Sequence, residues 1–276
     1  MNITQHTSRH TSRQGRHTPL LFFSWLVIVF AANNHVGFAQ LSEADSTSWR
    51  GKLSSGGTLI TGNVERLLWI TTAEISFVEP EEKMWGFKSA NTYQYGTFAK
   101  RLTENDIISR NFVYLFPKTW LYPYVMLWLE KNYRRRFDMR YQLGPGATLV
   151  VLNERYHTLK ISATLTNEQT TFNGSTFRDM PDLAGNVQNL WRITGRVAGR
   201  SVFFDSKLRL LYEAWYQQGL SGAQDYRYLV EAALEFPFAR NAAVRSALSY
   251  TRDNVVLVGV ERADVLLTFG LSLLLE

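Results

Sequence analysis

Period two runs through most of the chain. Between residues 202 and 216, Val202, Phe204, Leu208, Leu210, Tyr212 and Tyr216 share one parity, while Asp205, Lys207, Arg209 and Glu213 share the other. Successive side chains of a strand point to opposite faces, so this is a strand with one apolar and one polar face. Between 226 and 238 the pattern returns, with Tyr226, Tyr228, Val230, Leu234 and Phe236 against Arg227, Glu231 and Glu235. Leu159, Ile161, Ala163 and Leu165 alternate in the same way with Lys160, Ser162, Thr164 and Thr166. Similar alternation predicts about twelve strands, at 48–61, 64–78, 84–97, 106–116, 121–132, 137–151, 157–170, 187–197, 202–216, 226–237, 242–251 and 263–275. Most are about 11 to 15 residues long, whereas soluble sheets favour strands of about five or six. A tilted strand crosses a bilayer in about 9–11 residues.

The connections alternate too. The stretches 79–83, 117–120, 153–156, 198–201 and 239–241 read as compact turns, and 171–186, 217–225 and 252–262 as longer loops carrying Gly, Asn and Asp. Short turns on one side and longer loops on the other, with an even strand count, are the signature of a transmembrane antiparallel up-and-down β-barrel, the all-β fold expected here. A soluble sandwich also alternates, and periodicity alone does not say which face is inside. The aromatics separate the two readings. Apolar faces tend to finish in Trp, Tyr or Phe, as at Trp49, Trp69, Phe77, Trp85, Tyr93, Tyr95, Trp191, Tyr212, Tyr216, Tyr226, Phe236 and Tyr250, which is where interfacial girdles would lie.

The N-terminus adds a destination. Arg9, Arg13 and Arg16 precede the apolar run from Leu20 to Ala32, and Gly37-Phe38-Ala39 follows a short polar stretch. With about 13 apolar residues, the run is too short for a membrane-spanning helix, which needs roughly 20. It reads as a secretory signal peptide over 1–39, with 40–276 as the mature barrel domain. The expected location is the outer membrane, reached by export and cleavage. Removing the signal takes the formal charge from +6 to about +3, leaves no long basic stripe, and gives no reason to expect nucleic acid as a partner. It also removes His6, His10, His17 and His35, so only His157 remains.

From Trp49 the chain runs Trp-Arg-Gly-Lys-Leu-Ser-Ser-Gly-Gly-Thr-Leu-Ile-Thr-Gly-Asn63. This resembles the opening of the salt-stress-induced outer-membrane protein family, known by the domain of unknown function 481. Phe137-Asp-Met-Arg-Tyr-Gln-Leu-Gly-Pro-Gly146 looks like the family's Arg-x-x-x-Gly-x-Gly strand, and Leu266-Leu-Thr-Phe-Gly-Leu-Ser-Leu273 like its closing strand. The resemblance covers most of 47–276 and implies an outer-membrane barrel with no reaction and no cofactor. Biogenesis would engage the barrel-assembly machinery. The chain ends Leu274-Leu275-Glu276, where such barrels often carry an aromatic.

A closed barrel requires the first strand to pair with the twelfth. Gly51, Gly56 and Gly57 would serve that closure or, alternatively, the approach of a ligand. Residues of the polar parity then line the lumen: Lys160, Arg192, Arg196, Asp205, Lys207, Arg209, Glu213, Arg227, Glu231, Glu235 and Arg245. Both signs are present, so the set either braces the wall as cross-strand pairs or lines a small-solute pore. Lys131, Arg134, Arg135 and Arg136 form a basic cluster in an outer loop, read as a solvated turn or as a contact for outer-membrane lipids through lipopolysaccharide phosphates. Asp179 and Asp182 lack the regular spacing of a calcium site, and no metal is expected.

Two other classes remain as alternatives: an outer-membrane lipase or protease, and a soluble periplasmic ligand-binding β protein. Without cysteine, thiolate metal sites and cysteine nucleophiles are excluded. A serine hydrolase needs a base beside its nucleophile, but Ser162 lies on the opposite face of the strand from His157. A non-enzymatic barrel is the reading carried forward.

Overall fold

The structure is a computed structural model that describes residues 49–275, apart from 63, 64, 180–182, 184 and 223. The expected signal peptide and Asp182 lie outside the described residues. Twelve strands follow one another: β1 (Trp49–Ile60), β2 (Arg66–Val78), β3 (Trp85–Phe98), β4 (Arg101–Leu115), β5 (Leu121–Asn132), β6 (Phe137–Asn153), β7 (His157–Phe172), β8 (Val187–Phe203), β9 (Leu208–Gly219), β10 (Tyr226–Ala239), β11 (Ala242–Asp253) and β12 (Ala263–Leu275). Each pairs antiparallel with the next, and β1 pairs with β12, so the sheet closes on itself. The glycine-rich first strand makes that closure as expected, from Gly51↔Leu275 to Gly57↔Phe269.

Both ends of the described chain lie at one end of the barrel, here the terminal end, with the connections 79–84, 116–120, 154–156, 204–207 and 240–241. At the opposite, loop end lie the described residues of the connections 61–65, 99–100, 133–136, 173–186, 220–225 and 254–262. Two boundaries differ from expectation. β4 begins at Arg101 instead of 106, because its polar first turn belongs to a tight hairpin with β3. The expected turn at 198–201 is strand, and the chain reverses at 204–207 instead. Gly199 marks a close approach: a Cβ there would overlap the Tyr212 side chain and the Thr158 carbonyl. Phe204, Asp205 and Ser206, at φ 53°, 52° and 71°, make the reversal. Val202 therefore points inward and is 8% exposed, not outward with Phe204.

Parity sorts the wall. On β12, Val265, Leu267, Phe269, Leu271, Leu273 and Leu275 point outward and are exposed, while Asp264, Thr268 and Ser272 point inward. Most strands show the same outward apolar series, including Leu143 and Leu149 on β6 and Ile161 and Leu165 on β7, while on β3 and β4 the outward Ser89, Asn91, Ser109 and Asn111 form a hydrogen-bonded polar patch within it. The exposed apolar surface is far larger than the few hundred Å² that a soluble monomer tolerates. It excludes the soluble periplasmic alternative and is the exterior of a bilayer-spanning barrel. Aromatics flank it at both ends as expected. Trp49 and Phe77 pack at 4.8 Å and Phe77 and Trp85 at 5.1 Å near the terminal end, and Tyr216 and Tyr228 at 5.3 Å near the loop end.

Turns are secured locally. The Glu79 carboxylate accepts from the N–H groups of Glu81, Glu82, Lys83 and Met84 at 2.7–3.4 Å. Desolvation works against the charged form, but these donors outweigh it and hold the group below the ordinary carboxylate range. The β3–β4 hairpin turns on two residues, Ala99 and Lys100, both with positive φ (47° and 62°). That is the geometry of a type I′ turn, which favours Asn-Gly and strains residues bearing a Cβ. Ala99→Asn combined with Lys100→Gly should therefore stabilise the barrel by about 1 kcal/mol, read as a higher urea midpoint in detergent micelles. An unchanged or lowered midpoint would contradict the turn assignment.

Candidate functional site

The inward face of the barrel carries most of the ionisable groups, and they meet across the lumen. Toward the loop end, Glu168 on β7 lies at the centre of three guanidiniums. Arg192 Nε and Nη2 donate to its two oxygens at 3.0 and 3.3 Å, Arg227 from β10 donates to Oε2, and Arg140 from β6 stands at 3.9 Å. Arg140 also reaches Asp253 on β11 at 3.2 Å, and Arg192 reaches Asp225 at 2.8 Å. Glu168 and Arg192 are each 2% exposed. Inside a low-dielectric wall such groups are tolerable only when paired and hydrogen-bonded, and the partners come both from adjacent strands (Arg140, Arg192) and from strands three to five places apart (Arg227–Glu168, Arg140–Asp253).

Midway along the barrel the lumen is crossed by a septum of aromatic and ionic groups. Phe112 and Tyr114 on β4 and Tyr122, Tyr124, Met126 and Trp128 on β5 pack with Trp215 on β9 and Leu229 on β10. Trp128 and Trp215 meet edge to face at 5.3 Å. Arg110 on β4 lies 4.8 Å from the Trp128 ring centroid, 3.3 Å from the Glu231 carboxylate and 3.6 Å from that of Glu213. Arg196 stacks on Trp215 at 5.1 Å and pairs with Glu213 at 3.2 Å. β4 and β10 are diametrically opposite in a twelve-strand ring, so the Arg110–Glu231 pair spans the full bore.

Below the septum, Lys52 on β1 and Arg245 on β11 converge on Glu235 at 2.7 and 2.8 Å, and Arg209 is the cross-strand partner of Glu235. At the loop end a lid closes the mouth. Phe177 from the β7–β8 loop bridges Leu257 from the β11–β12 loop, and Val255, Val256 and Val260 pack with them over Phe137 and Phe172. A cavity of about 620 Å³ lies at the loop-end rim beside Arg66, Glu104, Lys131, Arg134 and Arg136, and two lie within the lumen, of about 270 Å³ on the terminal side and about 110 Å³ on the loop side. Both are bordered by Gln94, Ile108, Arg110, Glu231, Ser249 and Leu266, so the Arg110–Glu231 pair forms the partition between them.

Nine of the expected lumen residues point inward: Lys160, Arg192, Arg196, Arg209, Glu213, Arg227, Glu231, Glu235 and Arg245. Asp205 and Lys207 do not. They sit exposed in the 204–207 turn: the apolar–polar alternation of β9 runs back through the turn residues, while the inward parity changes from even on β8 to odd on β9. Of the basic cluster, Arg135 is turned inward, 7% exposed, and bonded to Asp264 at 3.0 Å. It braces the loop and is removed from the set of surface contacts. Lys131 and Arg136 are exposed and Arg134 is half-buried, 3.5 Å from Asp264. Asp179 pairs with Arg262 at 2.9 Å, and among the described residues no cluster of metal-ligating side chains is present.

The septum was not expected, although β5 carried a signal. Its odd residues Leu121, Val125, Leu127 and Leu129 and its even residues Tyr122, Tyr124, Met126 and Trp128 are all apolar, and a strand without alternation has apolar surroundings on both faces. Glu168 and Arg140 were also missed, the first among threonines and glutamines and the second beside a basic loop. For the hydrolase alternative, His157 lies on the outward parity and packs against Phe203 at 5.8 Å, while Ser162 is buried inward beside Thr148. The two do not form a nucleophile–base pair.

Residues 56–273 of the chain match the family described as "Protein of unknown function, DUF481". None of the curated proteins compared with the chain matches it. Among solved structures, the NanC porin is 10% identical, with 80% of this chain and 98% of that one covered at a TM-score of 0.49. An outer membrane channel from Pseudomonas putida F1 is 8% identical, covering 87% and 100% at 0.48. The translocator domain of the autotransporter NalP from Neisseria meningitidis is 12% identical, covering 84% and 89% at 0.46.

Glu168→Gln leaves the guanidiniums of Arg140, Arg192 and Arg227 without their shared carboxylate. Breaking a buried ionic cluster in this way should destabilise the barrel by about 3–5 kcal/mol, measured as a lowered urea midpoint. A shift below about 1 kcal/mol, the size typical of an exposed pair, would show that the cluster is solvated and not part of the brace.

Proposed function

The chain belongs to the DUF481 family of proteins of unknown function, and from that premise we propose that it is an outer-membrane β-barrel whose lumen is closed at rest, a structural component of the envelope. The carrying observation is the Arg110–Glu231 pair across the full diameter, buttressed by Trp128 and Trp215 and covered by the loop-end lid. Opposite charges in adjacent and facing strands favour bracing over an ion-attracting lining, since few charges are left to meet a passing solute. No reaction and no cofactor is assigned.

Placement follows from the surface. The outward apolar band and its aromatic flanks suit an outer membrane, with the terminal end in the periplasm and the loop end outside. Arrival there would follow export through the cleaved signal peptide and insertion by the barrel-assembly machinery. At the outer rim, Lys131, Arg134 and Arg136 stand where lipopolysaccharide phosphates would meet them.

A gated pore is favoured by one feature only, the pair of cavities that share the Arg110–Glu231 partition. Planar-bilayer recording separates the two roles. The closed barrel gives no sustained conductance as wild type, and Trp128→Ala combined with Trp215→Ala, which removes the buttress, gives steady open events. Stable, ion-selective conductance from the wild-type protein would overturn the closed reading in favour of a pore.

A further inference from the structure

The ladder that closes the barrel is shorter than the strands it joins. β1 and β12 pair from Gly51↔Leu275 to Gly57↔Phe269 and no further. Continued register would set Thr58, Leu59 and Ile60 opposite Thr268, Leu267 and Leu266. Those β1 residues pair only with β2, through Leu68, Leu67 and Arg66, and the β12 residues pair only with β11. Leu59 and Val265, outward on the two lips, are exposed. Gly56 and Gly270 sit at the fork, where a Cβ on either would overlap the backbone of the facing strand.

The 270 Å³ cavity reaches this fork. Its lining includes Ser54 and Ser55 on β1 and Leu266, Thr268 and Phe269 on β12. The cavity is therefore bordered by both lips where the ladder stops. In hydrocarbon, unpaired backbone N–H and C=O groups cost several kcal/mol each, so a split edge flanked by Leu59, Val265 and Leu267 calls for a polar partner from the bilayer side or from the cavity.

We propose that the split between β1 and β12 is a lateral opening between lumen and bilayer that admits an amphipathic, lipid-like molecule. Its polar end meets Ser54, Thr72, Thr268 and the Lys88–Glu74 pair, whose atoms stand 3.6 Å apart, inside the cavity. Its acyl chain remains outside, against Leu59, Val265 and Leu267. Both sides of the wall argue for this occupant. A small aqueous solute would use only the polar cavity, and the edge of a second copy would use only the apolar lips. The inference rests on the barrel lying in a bilayer and is independent of whether the lumen conducts.

The test uses the absence of cysteine from the chain. The photoreactive residue p-benzoylphenylalanine is placed at inward Thr268 or at outward Leu271, and the full barrel is reconstituted in phosphatidylethanolamine–phosphatidylglycerol vesicles and irradiated. Folding of each variant is checked by heat-modifiable migration. Lipid adducts are expected at both positions. Closing the fork with Leu59→Cys/Leu267→Cys, as a disulfide or through a short bismaleimide, should abolish the Thr268 adduct, and reduction of the disulfide should restore it. The equivalent lock within the paired ladder, Leu53→Cys/Leu273→Cys, should leave it unchanged. Adducts at Leu271 without any at Thr268, a Thr268 adduct that survives closure of the fork, or a protein dimer as the main product would each overturn the lateral opening. Absence of lipid adducts at both positions would instead overturn the membrane placement on which it rests.

Discussion

A sheet in hydrocarbon has no water to satisfy its edges, and this constraint organises the whole molecule. Twelve strands pair in sequence and the first returns to the last, because an open β1 or β12 would leave a column of amides and carbonyls facing acyl chains. Once the sheet is closed, every residue is either inside or outside by parity. Leu, Val, Ile and Phe dominate the outside, and most of the charged residues of the strands take the lumen. The β1–β12 seam, where closure stops above Gly57↔Phe269, is for the same reason the place where an exchange with the bilayer is proposed.

Inside, the same low dielectric sets a second demand. Charges that no longer face bulk water must find one another, and they do so between neighbouring strands and across the bore. Glu168 gathers Arg140, Arg192 and Arg227, Glu235 gathers Lys52 and Arg245, and Arg110 reaches Glu231 on the opposite wall. The aromatic side chains of β4, β5 and β9 fill the space that a twelve-strand bore would otherwise leave to water, and their ring faces hold Arg110 and Arg196 by cation–π contact. Ion pairing and aromatic packing are therefore one structure, and it is this combination that shuts the lumen.

Much of the wall was legible in the sequence because parity is a local property. The twelve strands, the closure of β1 on β12, and the inward placement of Arg192, Arg227 and Glu235 follow from alternation and the pairing rule. What escaped was non-local or broke the period. Asp205 and Lys207 were assigned to the wall because the turn residues happen to continue the apolar–polar alternation of β9, although the inward parity switches between β8 and β9, and only the backbone reveals Phe204-Asp205-Ser206 as a turn. Arg135 was grouped with its basic neighbours, although its side chain is committed to Asp264, a residue more than a hundred positions later. The septum depends on β4, β5 and β9 meeting across the lumen, which no pattern within one strand announces, although the double apolar face of β5 hinted at a filled interior.

The central claim is that parity alone decides lipid from lumen. Single cysteines placed along β7, from Thr158 to Thr170, each carrying a small fluorophore in vesicles containing brominated phospholipids, test it most directly. The account predicts strong quenching at Leu159, Ile161, Ala163 and Leu165, which face outward, and little at Lys160, Ser162, Thr164 and Thr166, which face the closed lumen. Quenching that varied smoothly with depth and did not alternate, or that was equal on both parities, would contradict it.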